Sequence, residues 1–150
     1  MTTTKLFGLS GNVAVITGGN GGIGRSIAIG LAEAGASVAI FGRNEEKNKK
    51  ILSELKEIGI PAMAMQVDIT NRSALEPAIK KVENELGNIS ILVNNAAIDL
   101  FSGGVLNETE ENWDRVIETN LKAVFLLSKL AAKSMVENKR GKIINIGSLY

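Results

Sequence analysis

The chain has 150 residues, 45% of them hydrophobic and 22% charged, with a formal net charge of +1. That balance fits a globular domain and leaves no basic field for nucleic acid or an anionic membrane surface. Cysteine and histidine are both absent, which excludes disulfides, thiol chemistry, the usual general base and the commonest transition-metal ligand. No metal site is expected, and acid–base work falls to Ser, Tyr, Lys or a carboxylate.

No signal peptide is expected from Met1-Thr2-Thr3-Thr4-Lys5, since the following Leu6-Phe7-Gly8-Leu9 is too short and glycine-broken for a secretory core. No apolar run approaches a membrane span. A cytoplasmic location is the expectation. Residues 13–16, Val-Ala-Val-Ile, read as a first strand. Thr17-Gly18-Gly19-Asn20-Gly21-Gly22-Ile23-Gly24 follows and runs into a helix over 23–34, stopped by Gly35. A buried strand, a glycine turn and a helix N-terminus together hold a phosphate, because backbone N–H groups and the helix dipole converge on one point. Gly19-x-Gly21-x-x-Gly24 is the generic dinucleotide pattern. Thr17-Gly18-x-x-x-Gly22-x-Gly24 is a rarer one.

A second strand covers 37–41. Asn44 then caps a helix with Glu45 and Glu46 in its first turn, running to about Ile58 and ended by Gly59. A third strand covers 62–67. Asn71 or Ser73 caps a helix through Leu86, closed by Gly87, and a fourth strand covers 89–93. A connection over 96–107 carries Gly103-Gly104, which suggests mobility. Thr109-Glu110-Glu111-Asn112 opens the longest helix, to about Asn138, before a fifth strand over 142–146. No repeat, low-complexity segment or linker interrupts the chain, so 1–150 reads as a single domain.

Several strands are near-continuous apolar runs, as in parallel sheets buried on both faces. Their alternation with helices predicts right-handed βαβ units in a Rossmann-like, doubly wound α/β parallel sheet of order 3-2-1-4-5. Ligands of such sheets lie beyond the carboxyl ends of the strands. There the sequence places the glycine turn, Gly42-Arg43-Asn44, Asp68-Ile69, Asn94-Asn95-Ala96-Ala97 and Gly147-Ser148. NAD sites put an acid on the ribose about twenty residues beyond the glycine turn. Phe41-Gly42-Arg43 has none, and Arg43 can fork onto a 2′-phosphate. NADP(H) is the favoured cofactor, with NAD(H) the alternative.

The turn, Asp68, Asn94-Asn95-Ala96, Trp113-Asp114, Asn120-Leu121 and the run from Gly141 to Ser148 stand in one order and spacing. In these residues the chain resembles the N-terminal, cofactor-binding part of the classical short-chain dehydrogenases/reductases. One departure is Ala97, where that family usually has glycine. The resemblance implies an oxidoreductase that interconverts a secondary alcohol and a ketone by hydride transfer, on a sugar, sugar-acid or 3-oxoacyl substrate. It implies cofactor contacts from Gly18, Asn20, Gly22, Ile23 and Gly24, from Asp68 and Ile69, and from Asn94 and Ala96. For Asp68 the alternative is capping the 70–73 region. Catalytic duties fall by resemblance on Ser148, polarising the substrate oxygen, and on Asn120, holding a water in the proton relay. Asparagine is otherwise a poor mid-helix residue. The resemblance also implies a homo-oligomer through the long helix around 112–138.

The family's acid–base group is the tyrosine of a Tyr-x-x-x-Lys motif. The sequence has one tyrosine, Tyr150, two residues after Ser148 and too close for that role. The further strands that complete the family's sheet are likewise not in this sequence, which leaves the fifth strand as an exposed apolar edge. Three readings stand side by side: an enzyme represented by its N-terminal portion, an inactive nucleotide-binding module, and a truncated remnant. The 150 residues alone are expected to lack turnover.

Overall fold

A computed structural model describes residues 7–100 and 103–148. Five strands form one parallel sheet: β1 (Val13–Thr17), β2 (Ser37–Gly42), β3 (Ala62–Gln66), β4 (Ile89–Asn94) and β5 (Lys142–Asn145). Their order is β3-β2-β1-β4-β5, as the alternation of strand and helix predicts. Every residue of β1 and β4 is buried, which explains why both read as unbroken apolar runs.

The two faces of the sheet carry separate cores, sorted by the period-2 alternation of the strands. Ala14, Ile16, Val38 and Ile40 pack with Ala28 and Ala32 of α1 (Gly22–Glu33) and with Ile51 and Leu55 of α2 (Glu45–Ile58). Val13, Val15, Ala39 and Phe41 pack on the other face against α3 (Arg72–Leu86) and α5 (Ala123–Glu137). The β1–β4 ladder shifts register between Val13 and Ala14, stepping over Ser90. The Ser90 hydroxyl replaces the missing ladder bond by accepting from Val13 N at 3.2 Å.

The long helix departs from its expected form. It comprises α4 (Glu110–Ile117), a π segment (Glu118–Lys122) and α5. A π turn widens a helix by one residue and re-aims the side chains within it, and Asn120 lies inside this one. α4 buries no side chain, whereas α5 buries five. β5 pairs with β4 alone and is exposed along its length, with Ile143 and Ile144 open to solvent. It is the exposed edge the sequence predicts. No helix among the described residues is long and apolar enough to cross a membrane.

Candidate cofactor site

The carboxyl ends of β1 and β4 are joined by one hydroxyl. Thr17 Oγ1 accepts from the backbone N–H groups of Asn95 and Ala96, each at 3.0 Å, and donates to Val93 O at 3.4 Å. Asn95 returns the tie, its Nδ2 donating to Thr17 O at 2.9 Å. The chain then turns at Gly18 with φ +64, in the left-handed region. Gly24 lies so close beneath that turn that a Cβ would press onto Gly18 O and stand 2.5 Å from Asn95 Nδ2. This approach sets the N-terminus of α1 against the strand ends.

Three helix starts make an informative contrast. Asn44 and Thr109 cap α2 and α4 by accepting from Lys47 N and Asn112 N, and both helices carry two acids in the first turn. α1 begins after Gly21, with no side-chain cap and no acid in its first turn, a start that α3 shares but away from the glycine turn. The early N–H groups carried by Gly22, Ile23 and Gly24 therefore have no capping side chain, the condition that suits an anion.

A cleft of about 320 Å³ opens beside the turn. Gly18, Asn20, Arg43, Asp68, Ile69 and Ala96 all line it, as do Lys47, Ala97, Ile98 and Thr119. Asp68 Oδ1 accepts from Thr70 N at 2.9 Å and Thr70 Oγ1 at 2.8 Å. The Thr70 backbone N–H, then its hydroxyl and the Arg43 charge, hold the Asp68 carboxyl below its ordinary range against an opposing effect of partial burial. Asp68 thus forms the local turn and lines the cleft at once. Asn71 occupies the cap position of α3 without a side-chain cap bond; its Oδ1 accepts from Ser73 Oγ at 2.8 Å. Arg43 is steadied at its carbonyl, which accepts from Gln66 Nε2 at 3.1 Å. Among the described residues, no carboxylate lies within 4.0 Å of Arg43 or Lys47, whereas Lys49 pairs with Glu45 and Glu46.

Asn120 is spent on one partner. Its Oδ1 accepts from Ile98 N at 2.9 Å and its Nδ2 donates to Ile98 O at 2.8 Å. The π segment is thereby fastened to the cleft wall. Ser148 follows β5 and is exposed, at the same end of the sheet but outside the cleft lining. The Asn94 side chain also stands apart from the lining. It is buried, and its Nδ2 donates to Asn145 Oδ1 at 2.9 Å and Ser128 Oγ at 3.1 Å. Phe101 and Tyr150 lie outside the described residues. A second, mostly apolar cavity of about 490 Å³ lies against α4, walled by Leu100, Val105, Trp113 and Val116.

Lys47 and Thr119, which line the cleft, and Asn48, which is bonded to Asn20 of its lining, are residues that sequence reasoning passes over. Lys47 carried a usable signal, since it stands four residues after Arg43 on the first turn of α2. Thr119 is placed there only by the fold, and Asn48 by its bonds to Gly42, Met65 and Asn20.

Fold and cleft together define a Rossmann-like, doubly wound α/β protein. The chain belongs to the short-chain dehydrogenase family, whose model, described as short chain dehydrogenase, matches residues 12–150. It is 44% identical over 148 residues to a short chain dehydrogenase/reductase of Gibberella zeae, covering 97% of this chain and 54% of that one. It is 37% identical over 150 residues to gluconate 5-dehydrogenase of Gluconobacter oxydans, covering 99% and 58%. A solved metagenomic short-chain oxidoreductase in complex with NADP superimposes with a TM-score of 0.89 at 38% identity, covering 94% of this chain and 64% of that one. The chain spans about half the length of the curated relatives it matches.

Proposed function

We propose that residues 1–150 form a single nucleotide-binding domain that takes NADP(H) in preference to NAD(H), and that it serves an oxidoreductase interconverting a secondary alcohol and a ketone. The observation that carries this reading is the ribose end of the cleft. No carboxylate ends β2, and Arg43 and Lys47 line that end with no carboxylate within 4.0 Å among the described residues, Asp68 acting on Arg43 only at longer range. In this reading the N-terminal turn of α1, with Gly18, Gly22, Ile23 and Gly24, holds the pyrophosphate. Asn20 and Ala96 line its path, and Asn94 supports the strand end from within the sheet. Asp68 Oδ2 is the oxygen left to accept an exocyclic N–H of the adenine, with Ile69 against the ring. The nicotinamide, when bound, supplies or accepts the hydride. Ser148 donates its hydroxyl to the substrate oxygen. Asn120, both side-chain groups spent on Ile98, keeps the cleft wall and the π turn together.

Likeness at 37% identity to a gluconate 5-dehydrogenase and, equally, to a 3-oxoacyl-[acyl-carrier-protein] reductase of Staphylococcus aureus supports a sugar-acid or a 3-oxoacyl substrate. The exposed residues Trp113, Ile117, Leu121 and Phe125, four apart on the long helix, favour a second copy of the chain as partner. Residues 1–150 contain no Tyr-x-x-x-Lys motif, which favours nucleotide binding without turnover as the behaviour of this segment by itself.

Titrating the purified protein with NADPH and NADH, followed by cofactor fluorescence, tests the reading. NADPH binds more tightly, and Arg43→Gln weakens it by about 10- to 100-fold, the value of a charge-assisted bond of roughly 1.5–3 kcal/mol. NADH affinity stays within about twofold. Equal or tighter NADH binding by the unaltered protein would refute the preference. A carbonyl panel run beside it separates binding from turnover.

A further inference from the structure

α2 buries three side chains, and one of them, Asn48, is polar. Only 4% of Asn48 is exposed, and its amide is almost fully used. Nδ2 donates to Gly42 O at 2.9 Å and to Met65 O at 3.1 Å, across the ends of β2 and β3. Oδ1 accepts from Asn20 Nδ2 at 2.7 Å. Turning this amide would take the Asn48 donor from both strand-end carbonyls, leaving Gly42 O only its longer bond from Val67 N at 3.3 Å, and would set two amide donors against each other at Asn20, so one orientation is favoured. Asn20 is partly exposed on the glycine turn, and its Nδ2 also reaches Asn44 O at 3.4 Å, so it is tied less deeply than Asn48.

Gly42 sits against this pair. A Cβ there would press onto Asn20 Nδ2 and stand 2.5 Å from Asn48 Oδ1. The glycine is required by space, since Gly42 has no positive φ. Position 42 is also twenty residues beyond Gly22, where a NAD site would place its ribose-binding acid.

We propose that Asn48 is a positioning residue that determines cofactor specificity. Its fixed amide occupies the space in which an acidic side chain would root at the end of β2, and it anchors the Gly42 carbonyl just before Arg43. The ribose end of the cleft is thereby closed to a carboxylate and given to the guanidinium. The proposal rests on the NADP(H) reading above, but it is tested by the coupling between positions 42 and 48, which that reading does not fix.

Gly42→Ala and Gly42→Asp are made with and without Asn48→Ala in the purified protein, and NADPH and NADH dissociation constants and thermal midpoints are measured. With Asn48 present, Gly42→Ala lowers the midpoint and weakens both cofactors about tenfold or more. With Asn48→Ala, the same change costs less than a third as much. Gly42→Asp alone weakens both cofactors. Paired with Asn48→Ala, it shifts the NADPH:NADH affinity ratio toward NADH by at least tenfold relative to the unaltered protein, a change that a purely structural role would not produce. Where Asn48→Ala does not hold its fold, Asn48→Ser replaces it. The proposal is overturned if either Gly42 substitution costs the same in both backgrounds, or if Gly42→Asp alone gives a well-folded, NADH-preferring protein. An unaltered protein without NADPH preference would sink the Arg43 reading, while the 42–48 coupling would still decide the role of Asn48.

Discussion

Thr17→Val tests the idea that a single hydroxyl joins the ends of β1 and β4. The side chain is 1% exposed, and valine nearly matches it in shape. Valine is also more hydrophobic and at least as favourable in a strand, so burial and propensity predict no loss. The hydrogen bonds predict otherwise. Removing Oγ1 strands the N–H groups of Asn95 and Ala96, both accepted at 3.0 Å. A buried donor left unpaired costs about 1–3 kcal/mol. These two are partly buried, so the lower end applies to each, and the 3.4 Å bond to Val93 O adds little. The sum is about 2 kcal/mol, or a fall in melting midpoint of roughly 4–8 °C for a chain of this size. Thr17→Ser keeps the hydroxyl and loses one buried methyl, about 1 kcal/mol or roughly 2–4 °C. Thermal melts and urea titrations at constant m-value rank the pair. Thr17→Val melting at or above Thr17→Ser would refute the account.

Two further outcomes follow from the cleft. Asp68 has a lowered pKa in the fold, through the Thr70 backbone N–H first, then the Thr70 hydroxyl and Arg43. A depressed folded value stabilises the protein fully above the unfolded pKa of about 3.9 and is lost as pH falls through the folded value. The stability gap between the unaltered protein and Asp68→Asn is therefore constant above about pH 5 and closes below pH 4, as read by urea midpoints across that range. Asn120→Leu removes both bonds to Ile98. At an exposed site this costs about 1 kcal/mol and speeds hydrogen exchange at the Ile98 amide, with Asn120→Asp, which keeps the acceptor, in between. Unchanged exchange at Ile98 in both variants would show that the π turn is not fastened there.

The sheet is legible in the sequence because burial on two faces writes itself as unbroken apolar runs, and because glycine and asparagine punctuate each crossover. Arg43 and Asp68 are legible because strand ends point them at the ligand side. What sequence cannot supply is pairing at a distance. Thr17 meets Asn95 and Ala96 across nearly eighty residues of chain. Asn120 meets Ile98 across a loop, and the π turn that accompanies that contact has no local signature. Asn48 stands between Lys47 and Lys49 in a highly charged helix start, where a polar residue looks solvent-facing. It is buried because α2 lies across the ends of β2 and β3.

The frame around the cleft is built from amides, and electrostatics gives the reason. Asn48, Asn95 and Asn120 each donate to a backbone carbonyl at the edge of the site. An amide both donates and accepts, so it can bridge such groups while staying neutral. A carboxylate could not donate to those carbonyls, and its charge would repel a pyrophosphate at the start of α1. A buried lysine would need its own counter-ion. Arg43 and Lys47 then stand among neutral amides, with one carboxylate, Asp68, beside them and tied to Thr70. In the proposed reading, selectivity between cofactors resides in the space at Gly42 and in the side chain that keeps it closed. A charge change at Arg43 should therefore weaken one cofactor without creating affinity for the other, and only relief of the Asn48 contact should allow an acid to do so.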